Sequence, residues 1–124
     1  MGVSSTCEGR ETREAPRLHF DEIGVNAIAA KISRPQKDGK SIDLRYGTAG
    51  FRDDASVLDS TCLRMGMLAV LRAVAMGGPV GIMVTASHNA GKDNGLKLAD
   101  FDGGMLHASW EKYCTDLANT DDVV

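Results

Sequence analysis

Aromatic residues are scarce in this chain, at 5% of its 124 residues. The core is therefore expected to be aliphatic and methionine-containing. Positive charge is also short: fourteen Lys and Arg stand against seventeen Asp and Glu, a formal net charge of −3. With no long basic run, the sequence lacks the electrostatic footprint of a nucleic-acid binder. The cysteines Cys7, Cys62 and Cys114 are odd in number and far apart, without a CxxC or a zinc-ligand spacing. That usage fits a reduced, cytoplasmic chain. Long apolar runs are missing too, and no apolar segment follows a basic start, so neither a membrane span nor a secretory signal is expected. A loose myristoylation pattern does exist in Met1, Gly2 and Thr6. A single acyl chain without a basic cluster would give no stable membrane association.

The length suits one compact unit, with 43% hydrophobic and 25% charged residues in the ordinary globular range. Residues 1–17 hold almost nothing apolar and read as a mobile, disordered tail. From Asp21 a helix is expected, with Ile23, Ala27 and Ala30 at helical spacing and Pro35 as its stop. Ile42, Leu44 and Tyr46 alternate as in a half-buried strand, after a turn at Asp38 and Gly39. Residues 56–76 form the clearest helix, with two apolar stripes and a narrow polar strip carrying Arg64 and Arg72. Gly77, Gly78 and Pro79 end it.

Val80 to Val84 is a continuous apolar run and predicts a central strand buried on both faces. Gly95 to Ala99 alternates, with Leu96 and Leu98 on one face and Lys97 on the other, and a glycine turn then leads to Met105 and Leu106. Ser109 is expected to cap a last helix that keeps Trp110, Cys114, Leu117 and Ala118 on one face. The order of elements predicts an α/β fold, a mixed sheet flanked by helices.

Three segments carry candidate chemistry. Thr85-Ala86-Ser87-His88-Asn89 follows the apolar run, where open α/β sheets place their ligand crevice. Ser87 there can act as a nucleophile or phosphoryl carrier, or simply as a turn serine bonded to nearby backbone. The nucleophile elbow GxSxG is absent, which argues against a serine hydrolase. Lys97 lies ten residues beyond Ser87. The Asn94-Gly95 bend between them can bring the two together, unless Lys97 is an ordinary solvated lysine. Tyr46-Gly47-Thr48-Ala49-Gly50-Phe51-Arg52 pairs a glycine loop with an arginine suited to phosphate. It is neither a Walker loop nor GxGxxG, so nucleotide binding is not supported.

The strings YGTAGFR, MGMLAVLR, GIMVTASHN, DNGLKL, GGML and SWEKYCTDLAN together resemble the amino-terminal domain of the phosphoacetylglucosamine mutases, a branch of the α-D-phosphohexomutases. The resemblance covers nearly all of residues 18–124 and implies domain 1 of that superfamily, incomplete and without the later domains. It implies that Ser87 is phosphorylated in the resting enzyme and passes its phosphoryl group to a sugar phosphate, N-acetylglucosamine phosphate, its phosphate helping to hold Mg2+. Lys97 matches the lysine for proton transfer near the sugar hydroxyl. His88 and Asn89 match loop residues beside the phosphate, and Thr48 and Arg52 match a loop lining the cleft. The family string continues TASHNP, whereas Ala90 stands at the proline position here. No DGDG metal loop occurs in the chain, so the remaining magnesium ligands are not expected within it.

Two other readings accompany this one: a non-catalytic truncated product or interaction module, and a glucose or mannose phosphomutase fragment. In either enzyme reading the isolated chain is expected to turn over little or no substrate. The two apolar stripes of the 56–76 helix also predict self-association when their usual cover is missing.

Overall fold

The computed structural model describes residues 33–121; the expected tail over 1–17 and the helix expected from Asp21 lie outside the described residues. The described chain opens with a small hairpin, β1 (Gln36–Lys37) and β2 (Lys40–Ser41), around the expected Asp38-Gly39 turn. It continues through β3 (Phe51–Asp54), a single 3-10 turn (Ala55–Val57), α1 (Asp59–Met76), β4 (Gly81–Val84), β5 (Asp93–Ala99) and α2 (Ala108–Ala118). The α/β layering is as expected. The main sheet has three strands in the order β3-β5-β4. Both of its ladders are antiparallel, so the mixed pairing expected from sequence has no parallel ladder among the described residues.

The centre of the sheet is β5, not β4. Leu96 and Leu98 turn inward and are buried with Phe51, Met65, Leu68 and Cys114 in one core. The Val80 to Val84 run was expected to be buried on both faces, yet β4 is an edge strand with Ile82, Met83 and Val84 exposed. Apolarity in a run reports the need for cover, and the described residues do not supply it on that edge.

The polar strip of the long helix is the second correction. Arg64 and Arg72 are not solvated; they are 2% and 5% exposed and share the inward face of α1 with Met65, Leu68 and Ala69. Burial of a guanidinium is tolerable only when its donors are matched, and both are. Arg64 Nη1 donates to the carbonyl oxygens of Leu117 (3.2 Å) and Ala118 (2.8 Å), at the carboxyl end of α2. A cation is favoured there because the last carbonyls lack helical partners. Arg72 meets Asp100 in a two-pronged pair, Nε to Oδ1 at 2.9 Å and Nη2 to Oδ2 at 2.7 Å. Its guanidinium also lies 4.9 Å from the centre of the Trp110 ring. The outward stripe of α1, with Met67, Val70, Leu71 and Val74, is the one left exposed.

A third correction concerns Ile42 to Tyr46, which forms no strand. Leu44 and Tyr46 are buried as the alternation requires, but side chains of α2 take the place of a neighbouring strand. The Leu44 N–H donates to Asn119 Oδ1 (2.8 Å) and Asn119 Nδ2 donates back to the Leu44 carbonyl (2.7 Å). The Tyr46 N–H donates to Thr115 Oγ1 at 3.1 Å. The Tyr46 hydroxyl in turn accepts from the Leu98 N–H at 2.9 Å, covering a β5 donor beyond the end of β3. Burial pushes the acidity of that hydroxyl down, raising its pKa.

The last helix begins two residues earlier than its sequence suggests. His107, not Ser109, is the cap, and its ring Nδ1 accepts from the Ser109 N–H. Met105 joins the sheet by a single bridge to Ala99 across the glycine turn, which is closed by the Asp100 N–H donating to the Gly104 carbonyl at 2.8 Å, so the hairpin expected there gains no second strand. Cys114 is fully buried, and burial pushes its thiol up to about 12. No helix among the described residues is long and apolar enough to cross a membrane.

The Arg72 hydrogen bonds hold the Asp100 carboxyl below the usual carboxylate value, with burial opposing them. A depressed folded value means that Asp100 adds stability at neutral pH, and that this is lost as pH falls below about 4, the ordinary aspartate value. Urea midpoints measured from pH 7 to pH 3 should fall more steeply for the wild-type chain than for Asp100→Asn, with the two converging in acid. Parallel curves would refute the pair's part in acid stability. The exposed stripe of α1 and the bare β4 edge lead to a second expectation, that the chain self-associates. Sedimentation equilibrium should show mass rising with concentration and falling back toward monomer in a Leu71→Lys, Met83→Lys double variant.

Candidate active site

The alternation of an antiparallel sheet decides which side chains can meet. Phe51 faces Leu96 across the β3 and β5 ladder and both are buried in the core; Val84 faces Leu96 from the other side and shares that face of the sheet, but stays exposed at the edge. Arg52 is opposite Gly95 and Met83 is opposite Lys97, so Arg52, Lys97 and Met83 stand on the other, outward face. Arg52 is exposed and Lys97 half-buried. The two cations anticipated from sequence thus share one face, on neighbouring strands.

Gly95 makes room between them. A Cβ built there would lie 2.6 Å from the Thr85 carbonyl oxygen and 2.9 Å from that of Phe51, both backbone, and 3.2 Å from Arg52 Cγ. The asparagine-glycine step is therefore a packing requirement of this sheet: a side chain would push apart both flanking strands and the stem of Arg52. The Thr85 N–H donates to the Gly95 carbonyl at 3.0 Å, which carries the β4 pairing one residue past the strand.

The chain then turns. Asn89 N–H donates to the Ala86 carbonyl at 2.9 Å, placing Ser87 and His88 at the two central positions of a β-turn, where both are exposed. A second turn follows at once, with the Asp93 N–H donating to the Ala90 carbonyl at 2.9 Å. Arg52 Nη1 reaches the first turn and donates to Asn89 Oδ1 at 2.9 Å. The arginine is thereby held against the turn that carries Ser87. Asn89 Nδ2 also donates to Asp93 Oδ2, at 3.4 Å. Asp93 was not singled out from sequence, although it opens the DNGLKL string. Its role depends on Asn89 being engaged by Arg52, 37 residues earlier, which no local pattern encodes.

Thr48 lies in the turn Gly47–Gly50, which is closed by reciprocal backbone hydrogen bonds of 3.2 and 2.8 Å. It is exposed. Gly50 anchors that turn on β5: its φ is +74°, and a Cβ there would come 2.0 Å from the Leu96 carbonyl oxygen and 3.1 Å from Lys97 Cα. The turn thus packs beside Lys97, and Thr48 sits on the loop that borders the cationic face.

In chemical terms the turn offers an exposed hydroxyl at Ser87 with a guanidinium held to it, and the sheet face that carries the guanidinium also carries a primary amine, Lys97. Such a set suits an anionic group on the serine, since Arg52 can present several N–H donors to phosphate oxygens. It does not suit a metal by itself. Among the described residues no three His, Cys, Asp or Glu side chains lie close enough together to hold an ion. A magnesium ion at Ser87 would need ligands from elsewhere.

Comparison with known proteins gives this arrangement a context. Residues 46–123 match the family described as phosphoglucomutase/phosphomannomutase, alpha/beta/alpha domain I. Pig phosphoacetylglucosamine mutase is 51% identical over 103 residues, which are 83% of this chain and 18% of that protein. The Arabidopsis thaliana protein of the same name is 45% identical over 101 residues, 81% of this chain and 18% of the relative. The chain thus spans less than a fifth of the length of these curated relatives. Among solved structures, an N-acetylglucosamine-phosphate mutase in its substrate complex superposes with a TM-score of 0.70 at 44% identity, over 77% of this chain and 17% of that one. The Aspergillus fumigatus N-acetylphosphoglucosamine mutase in complex with GlcNAc-6P and magnesium gives 0.63 at 45% identity, over 77% and 18%. With the family model covering well over half of the chain and relatives of one name on every side, the protein belongs to the phosphoglucomutase/phosphomannomutase family of α-D-phosphohexomutases and carries its domain I.

Proposed function

We propose that this chain is the phosphoserine domain of a phosphoacetylglucosamine mutase, the enzyme that interconverts N-acetylglucosamine 6-phosphate and 1-phosphate on the way to UDP-N-acetylglucosamine. The observation that carries the reading is the hydrogen bond from Arg52 to Asn89, which holds a guanidinium on the turn whose exposed central residue is Ser87. Relatives named for this activity share about half of their aligned residues with the chain, and one structural neighbour was solved with GlcNAc-6P and magnesium.

In this reading phosphorylated Ser87 is the donor. A sugar hydroxyl attacks the phosphorus, the bond from phosphorus to Ser87 Oγ breaks, and a new bond to the sugar oxygen forms. The hydroxyl proton leaves as that bond forms and the departing Ser87 Oγ takes one up; Lys97, on the same sheet face as Arg52, is the group assigned to proton transfer. The sugar bisphosphate then returns its other phosphoryl group to Ser87. Arg52 offsets charge on the phosphate throughout, with His88 and Asn89 beside it and Thr48 on the bordering loop. Magnesium would neutralise further charge on the Ser87 phosphate, with its other ligands drawn from outside this chain. The chain by itself is accordingly expected to lack turnover, and a cytoplasmic location follows from the reduced thiols the sequence implies.

In a full-length protein carrying this domain, Ser87→Ala should abolish mutase turnover and leave the fold intact, because an exposed turn hydroxyl contributes only about 1 kcal/mol. Lys97→Ala should leave Ser87 open to phosphorylation, seen by intact mass, while slowing transfer roughly 10²- to 10⁴-fold. Near-normal turnover by a folded Ser87→Ala protein would overturn the assignment.

A further inference from the structure

Asn89 stands between two groups of opposite chemistry. On one side is a guanidinium, which can only donate hydrogen bonds; on the other is the Asp93 carboxylate, which when ionised can only accept. An amide has one face of each kind. Of its two orientations, one directs the oxygen at Arg52 and the NH2 at Asp93, matching both neighbours at 2.9 Å and 3.4 Å. The flipped orientation sets donor against donor and acceptor against acceptor. The carboxylate therefore holds the Asn89 amide in the orientation that the guanidinium also requires.

We propose that Asp93 is a positioning residue for Arg52: by accepting from the Asn89 amide it restrains the side chain that holds the guanidinium to the Ser87 turn before any phosphate is present. The backbone around it supports the role. Asp93 closes the second of the two consecutive turns and opens β5, so its own position is set by the sheet. Its cross-strand neighbour Asp54 is occupied differently, its carboxylate accepting from the Ser56 N–H (3.0 Å) and Oγ (2.8 Å), with Lys92 at 3.9 Å. Of this facing pair, Asp93 is the one turned to Asn89. The position after Asn89 is Ala90, where the family string has proline, so the rigidity a ring would give this turn is absent and a side-chain clamp spans the same residues. Asn89 uses only one of the five guanidinium donors, which leaves the others for an anion on the turn.

The inference deepens the phosphoserine reading and rests on it for its purpose, but the clamp itself can be measured in the unphosphorylated chain. The measurement is proton exchange at the Arg52 guanidinium, followed by NMR on arginine-labelled chain. Asp93→Ala should accelerate it roughly five- to tenfold, the loss of about one net hydrogen bond. Asp93→Asn, which keeps an acceptor while losing the charge, should restore slow exchange. Unchanged exchange in a folded Asp93→Ala chain would overturn the proposal, and so would equal acceleration by both variants, which would make the effect one of charge alone. Should Asp93→Ala lose its fold, the wild-type Asn89 side-chain amide decides: NH2 protons that exchange with water more slowly than those of a free asparagine support the clamp, and exchange at the free rate overturns it. A second sample bearing phosphoserine at 87 separates this from the functional reading. If phosphorylation leaves the Arg52 signals unmoved while the clamp is intact, the phosphate assignment fails and the positioning role stands.

Discussion

Two arginines buried on one helix hold this domain together. α1 is the longest element, and its inward face joins the rest of the structure through Arg64 and Arg72 as much as through Met65 and Leu68. Arg64 closes the carboxyl end of α2, and Arg72 closes the end of β5 through Asp100. Asp100 also accepts from the His107 N–H at 3.3 Å, so one carboxylate ties α1, the end of the sheet and the start of α2 together. A core with few aromatics gains shape here from directional contacts. The Arg72 guanidinium stacks on Trp110, and Tyr46 meets Phe51 edge to face at 5.3 Å.

The site depends on that frame at one remove. Burying Leu96 and Leu98 fixes the register of β5, and the pleat then obliges Lys97 to point outward. The same register puts Gly95 opposite Arg52, where the missing side chain lets the arginine stem and two carbonyls crowd together. Core packing on one face of the sheet thus places the cations on the other. The Ser87 turn needs no burial of its own; it is tethered by Arg52 through Asn89 and by the backbone bonds of two short turns.

The outward stripe of α1 and the free edge of β4 have a different character from the rest of the surface. Met67, Val70, Leu71 and Val74 are apolar at helical spacing yet exposed, and three successive apolar residues of β4 are exposed beside them in sequence. Among the described residues the outer edge of β4 has no partner, and with no lysine, proline or bulge in it only its four-residue length guards it against pairing with another chain. Relatives of which the matched residues make up only 18% have further chain with which to cover such surface.

Local sequence determined the elements whose signals are local. The 59–76 helix followed from periodicity and from Gly77, whose φ of +65° caps it; the β5 alternation followed from Leu96 and Leu98; and the Ser87 turn followed from a polar string after an apolar run. Only the tertiary structure decided three things. It buried the arginine strip, because acceptors for those guanidiniums come from residues 28 to 54 positions away. It left Ile42 to Tyr46 without a strand partner, because Asn119 and Thr115, about seventy residues later, satisfy its backbone instead. It made β5 the central strand, since ladder order depends on contacts between distant segments, and it brought Arg52 to the asparagine that Asp93 touches, 37 residues along the chain. Periodicity tells which side chains need cover; which groups provide it is settled when the chain folds back on itself.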